Sequence, residues 1–298
     1  MDIRTITVDD YRLLDSAGGY LRQYGRNVQS WIDKGFIDKE GCFVFAAGGA
    51  VIGGVCFTDD TPRNRIILDF ALTNAEIPNG APVLRKAIFL AANADTKTIS
   101  YDLYNDTEQY EDILNLFLQA GFFVSQAKKS YRYEQPEPPQ AIAALTFRSV
   151  AEVGEEMFIN TFKEATFGTL DKLMADDVAR LGGDRAARVY VDSVKSLDYH
   201  ADWWMLGYYR DELVGMVLPQ RFDDSIGVIN YIGVLPRYRG HGYGAMLITE
   251  GTRLLYQNGI KKIIADIDVA NAPMAAALER VGYVIRLTES VLSYRMGT

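Results

Sequence analysis

Histidine is nearly missing from this 298-residue chain. Only His200 and His241 occur, which excludes a histidine-rich metal centre. Cysteine is as scarce. Cys42 and Cys56 each sit in an apolar run that reads as a strand, so they form either a pair of reduced core thiols or one bond between neighbouring strands. An excess of positive charge is absent too. The net charge of -8 and the pI of about 5.0 remove the electropositive footprint that nucleic-acid binding needs. No apolar run is long enough to cross a bilayer, and Met1-Asp2-Ile3-Arg4 lacks the charged and apolar regions of a secretory signal. The expected location is the cytoplasm, with neither a membrane nor a nucleic acid as partner. What is present is ordinary globular material: 48% hydrophobic and 23% charged residues, enough for two cores at a length that suggests about two domains.

Proline is sparse except in one place. Three of the nine prolines fall in Glu134-Gln135-Pro136-Glu137-Pro138-Pro139-Gln140. Proline fixes φ and removes a donor, so this stretch reads as an extended linker. It divides the chain into domains 1–135 and 143–298, with a linker at 136–142. The two parts repeat an order of elements. Each opens with a short strand and helical stretches. A hairpin follows, Cys42 to Phe57 in the first part and Trp203 to Leu218 in the second. Then come a strand, a helix and another strand. A last helix stops at glycine plus an aromatic residue, Gly121-Phe122 or Gly282-Tyr283, before a closing strand, Lys129 to Tyr133 or Ser290 to Met296. This order predicts an α/β (α+β) architecture. Each part should hold a mixed, mostly antiparallel sheet flanked by helices.

The informative stretch is Tyr231-Ile232-Gly233-Val234-Leu235-Pro236-Arg237-Tyr238-Arg239-Gly240-His241-Gly242-Tyr243-Gly244. A β-rich run stops at Pro236, and three glycines at alternate positions lead into a helix. Glycines let the backbone bend and let a bulky anion approach the amides. A helix start carries unpaired N–H donors and roughly half a positive charge, and Arg237 and Arg239 add more. Together these features suit a diphosphate. A nucleotide-triphosphate loop would end in Gly-Lys-Ser or Gly-Lys-Thr, but Gly244-Ala245-Met246 stands here. A dinucleotide fold would place its glycines directly after the strand.

Val234, Pro236 and Arg239-Gly240-x-Gly242-x-Gly244, followed by Asn271, a short helix and Gly282-Tyr283, resemble the two acyl-CoA-binding motifs of the GNAT acetyltransferase superfamily. The resemblance covers residues 143–298. The first part resembles the same fold without the loop, because Asn74-Ala75-Glu76-Ile77-Pro78-Asn79-Gly80-Ala81-Pro82 stands in its place. The resemblance implies a tandem GNAT protein with a degenerate first copy and acetyl-CoA as co-substrate. It implies pantetheine contacts from Ile232, Gly233 and Val234. The diphosphate would lie on the amides of Arg239, Gly240, His241, Gly242, Tyr243 and Gly244, and Asn271 would contact the pantetheine or adenosine end. No metal is expected, since the chain has only two histidines. The acceptor would be a small-molecule amine or a peptide N-terminus.

The family's acid and base do not carry over. Val228 and Asn230 stand where relatives place a glutamate, and Leu278 stands where they place a tyrosine. Asp268 and Tyr283 are the nearest catalytic substitutes, and each also reads as structural: polar alternation with Asp266 for the first, core packing for the second. Two functions remain open on these residues: N-acetyl transfer by direct attack in a ternary complex, and CoA binding without catalysis.

Overall fold

A computed structural model describes residues 1–297 apart from Pro62, Leu197 and Asp224. The chain divides into two compact units: residues 1–125 together with those from Glu289 on, and Gln126–Thr288.

The first unit opens with β1 (Asp2–Thr5), α1 (Val8–Ala17) and α2 (Gly19–Asp33). Thr7 and Asp10 start α1, with the Thr7 amide donating to the Asp10 carboxylate at 2.7 Å. In α2, Leu21, Tyr24 and Val28 recur at helical spacing and are buried. β2 (Cys42–Ala47), β3 (Ala50–Thr61), β4 (Asn64–Leu72), α3 (Ala81–Ala91), β5 (Thr98–Tyr104) and α4 (Tyr110–Ala120) complete this stretch. β1 to β4 pair antiparallel in sequence order, and β4 runs parallel to β5. Cys42 and Cys56 lie opposite each other on β2 and β3 as free thiols, their sulfurs 3.1 Å apart. The sheet is covered on both faces. One cluster holds Leu14, Tyr24 and Val44, and the other holds Phe45, Phe70, Leu84 and Phe117.

β6 (Phe123–Tyr133) leads into the second unit, which continues with β7 (Thr146–Ser149), α5 (Val150–Val153), α6 (Glu155–Ala165), α7 (Lys172–Leu181) and α8 (Gly183–Lys195). Next come β8 (Met205–Tyr209), β9 (Glu212–Arg221), β10 (Ile226–Val234), α9 (Tyr243–Gln257), β11 (Lys262–Asp268), α10 (Ala272–Val281) and β12 (Val284–Arg295). β7 to β10 pair antiparallel in order, and β10 runs parallel to β11. The far edge of β11 pairs with Lys128–Tyr133 of β6. In the first unit the corresponding edge of β5 pairs with Glu289–Arg295 of β12. Each unit therefore closes its sheet with a strand from the other half of the sequence. Non-local strand pairing of this kind leaves no local signal, which is why both strands read as the ends of their own halves. Among the described residues, no helix is long and apolar enough to cross a membrane.

Candidate functional site

The site begins where two strands part. β10 and β11 pair only from Ile226 to Val228 and from Lys262 to Ile264. Beyond that point β10 stays with β9 and β11 stays with β6, and a cleft of about 820 Å³ opens between them within the second unit. The register of β10 against β9 shifts between Ile229 and Tyr231, leaving Asn230 as a bulge. The bulge turns the strand over. Before it, Gly227 and Ile229 face α9 and the turn after it. After it, Gly233 faces Ala165 of α6, with the Tyr231 ring beside it. A Cβ on Gly233 would lie 2.6 Å from that ring and 2.7 Å from Ala165, so only glycine fits. Tyr231 and Tyr190 then line the cleft and pack on Phe162, with centroids at 4.3 and 4.7 Å. The Tyr190 hydroxyl donates to the Asn230 carbonyl at 2.9 Å. Burial pushes both tyrosine hydroxyls above their ordinary pKa, so they stay neutral.

At the end of β10, Pro236–Tyr238 make one tight helical turn. The bend runs through Gly240 and Gly242, both at φ +82°, and α9 starts at Tyr243. Only glycine takes this conformation without strain. Among the described residues, the amides of Gly240, His241 and Gly242 have no hydrogen-bond partner, and no side chain caps α9. The space over the bend is open: a Cβ on Gly240 would meet nothing within 4 Å, and one on Gly244 only Ala277 at 3.7 Å and Val234 at 3.9 Å. Free donors at a helix mouth with room above them make an anion site.

The arginines divide in a way the sequence does not reveal. Arg239 donates to three carbonyls: Val234 at 3.1 Å, Gly168 at 3.2 Å and Ala165 at 2.9 Å. Its guanidinium ties the bend to the loop after α6. Arg237 is ion-paired with Glu164. A further cation beside the bend is Arg280, at the end of α10. One of its terminal nitrogens is 3.7 Å from where a Gly242 Cβ would be, and it has no ion pair among the described residues. No sequence motif marks it, because it reaches the bend only by the packing of α10 on α9.

Ile232, Gly233, Val234, Arg239, Gly240, Gly242, Tyr243, Gly244 and Asn271 all line the cleft, and the exposed His241 is not among the lining residues. Asn271 caps α10, accepting from the Met274 amide at 3.3 Å. The two catalytic substitutes part company. Tyr283 is fully buried away from the cleft lining, sharing a hydrogen bond with Thr252 at 2.7 Å and packing on Tyr133. Burial raises its pKa. It is a core residue.

Asp268 lines the cleft but is buried rather than solvent-facing. It accepts from the Ala270 amide at 2.8 Å, from Gln126 at 3.2 Å and from the Lys172 amide at 3.4 Å. Three of about four acceptor positions are thus used, and the carboxylate serves to pin the start of α7 to β11. Gln126 also donates to Asp171 at 3.2 Å, and Asp171 caps α7 through the Met174 amide at 2.8 Å. The segment between α6 and α7 is therefore held to β10 by Arg239 and to β11 by Asp268 and Gln126, as a strap over the cleft.

Residues 174–283 match the acetyltransferase (GNAT) family. A stretch of 75 residues is 31% identical to the mycothiol acetyltransferase of Corynebacterium efficiens and covers 25% of this chain and 25% of that protein. The chain thus spans about a quarter of that curated relative's length. The backbone is similar to that of a GCN5-related N-acetyltransferase from Sphaerobacter thermophilus, with a TM-score of 0.65 at 16% identity over 100% of this chain and 96% of the other. It is also similar to a tandem GNAT protein from the clavulanic acid biosynthesis pathway, with a TM-score of 0.52 at 13% identity over 86% of this chain and 83% of the other.

Proposed function

We propose that this chain, whose residues 174–283 form a GNAT acetyltransferase domain within a tandem GNAT fold, moves an acetyl group from acetyl-CoA to a primary amine. The observation that carries the proposal is the bend at Gly240–Gly242, with unpartnered amides at the mouth of α9 and Arg280 beside it. Amides of residues 240–244 would hold the diphosphate. The edge of β10 that no strand covers past Val228 would pair with the pantetheine arm as an added strand does. A backbone amide near Val234 would receive the thioester oxygen as negative charge develops on it, an effect worth about 3–4 kcal/mol. The amine nitrogen attacks the thioester carbon. The carbon–sulfur bond breaks, the thiolate leaves, and the amine's proton passes to solvent.

A free-base amine costs about 4–5 kcal/mol at neutral pH. Holding two reactants in attack geometry contributes about 7–11 kcal/mol, so the reaction proceeds without a dedicated base. The acceptor is a small amine or a peptide N-terminus, and the compartment is the cytoplasm. Isothermal titration with acetyl-CoA tests the proposal. Binding is expected, and no heat at millimolar ligand overturns it. A second reading, CoA binding without transfer, draws on one observation: the oxygens of Asp268 are already taken by three donors. Acetylation of any member of an amine panel above background rejects that reading.

A further inference from the structure

We infer that Asp266 anchors the acceptor's ammonium group, and that the acceptor is a primary amine carried on an apolar body. The inference rests on the acyl-transfer reading above and names its acceptor class.

Four carboxylates line the cleft: Asp171, Asp177, Asp266 and Asp268. Three are engaged. Asp171 caps α7 and takes Gln126, Asp177 is ion-paired with Arg180, and Asp268 accepts three donors. Asp266 is exposed and has neither hydrogen bond nor ion pair for its carboxylate among the described residues. It lies two residues past Ile264, the last β11 residue paired with β10, and so stands near the fork of the cleft. Strand alternation puts it on the face of Asp268, the face that meets the start of α7.

A second observation points to a donor ligand. Gln126 is 2% exposed and lines the same cleft, beside Asp171 and Asp268. Its amide nitrogen serves two carboxylates, while its carbonyl oxygen is buried without a donor. The two acids fix the amide's orientation, because flipping it would set oxygen against oxygen. The cleft lining thus holds a buried acceptor without a donor in addition to the bare carboxylate of Asp266. Of the cations that line the cleft, Lys128 has an interaction partner. Arg239 is committed to three carbonyls, and Arg280 stands beside the bend. Across the cleft, Tyr190 and Tyr231 offer aromatic rings, which favour a cation over an anion.

The apolar part of the ligand is written in the strap and in α7. Leu170 and Leu173 line the cleft and are still 48% and 42% exposed, and the buried Met174 lines it too. Exposed leucines inside a site mark contact area for an apolar body.

The test uses the full chain, with and without saturating CoA, titrated with 2-phenylethylammonium, 2-phenylethanol and phenylacetate and followed by ligand-detected NMR. The ammonium should bind at least about tenfold tighter than the alcohol, and the carboxylate weakest. Asp266→Asn should erase the difference between ammonium and alcohol, and Asp266→Glu should restore part of it. CoA titration of each variant reports whether the bend is intact. The inference falls if the alcohol binds as well as the ammonium, if Asp266→Asn keeps the preference, or if no amine binds while CoA does. Loss of CoA binding by the unaltered chain sinks the acyl-transfer reading instead, and the amine titration without CoA still decides the fate of Asp266.

Discussion

The two bends that follow β4 and β10 have the same place in the order of elements and opposite fates. In the second unit, the amides of Gly240, His241 and Gly242 have no partner among the described residues, and the space above the bend is open. In the first, Glu76, Ile77, Asn79 and Gly80 all donate to carbonyls within the bend, and Pro82 removes a further donor. A Cβ on Gly80 would lie 2.5 Å from Leu116 and 2.6 Å from Leu72. The strands diverge in both units, since β4 and β5 pair only as far as Ile67 and Tyr101. In the first unit, aromatic rings occupy that region. Phe117 stacks on Tyr101 at 4.6 Å and meets Phe70 at 5.1 Å and Phe122 at 4.9 Å. One backbone plan thus yields a core where donors are satisfied and side chains are large, and a site where donors are bare and glycine keeps the space open.

Breaking the open bend has the largest expected effect. Gly244→Glu puts a carboxylate where a phosphate would lie, at a position where an added Cβ makes only ordinary contacts. A glutamate in the first turn suits the helix dipole, so stability should hold, while acetyl-CoA affinity falls at least about 100-fold in calorimetry. Arg239→Ala should cost about tenfold in affinity by releasing the carbonyls of Ala165 and Gly168. Hydrogen exchange across residues 165–171 should quicken in the same variant. Crowding the closed bend should instead read out as stability alone: Gly80→Ala should cost about 1 kcal/mol in denaturant unfolding, since Leu72 and Leu116 are themselves packed.

The smallest effect concerns pH. Burial pushes the Asp10 carboxyl up, but Arg4 and Thr7 outweigh it and hold the pKa below its ordinary value. The stability this gives is present above about pH 4 and is lost as pH falls through the lowered value. Asp10→Asn should remove about 1 kcal/mol at neutral pH, because Arg4 stays half-solvated. It should also flatten the acid limb of an unfolding-against-pH curve.

Local chemistry was legible in the sequence, and long-range pairing was not. Alternate glycines and a proline before them announce the bend, and hydrophobic spacing announces α9 and β10, whereas the GNAT fold came from the resemblance of Val234–Gly244 and Asn271–Tyr283 to that family's motifs. The sequence places the charge of Arg239 beside the bend, but it does not show the carbonyls of Ala165 and Gly168, more than 70 residues earlier, that hold its guanidinium. Arg280 and Gln126 carried no motif at all. Gln126 lay inside a strand that its neighbours assign to the first half, yet it reaches the cleft of the second unit. Alternation put Asp266 and Asp268 on one face correctly. It could not tell that one would be enclosed by donors and the other left bare.

The exchange of closing strands sets an order on biosynthesis. A ribosome releases residues 1–125 long before it makes Glu289–Arg295, so β5 must wait with one row of its peptide groups unmatched while more than 160 residues emerge. The second unit waits less, since Lys128–Tyr133 already exists when β11 appears. Vectorial synthesis should therefore complete the second unit before the one that precedes it, and a chain cut at the proline-rich stretch would leave the amino-terminal piece with an exposed strand edge that invites self-association.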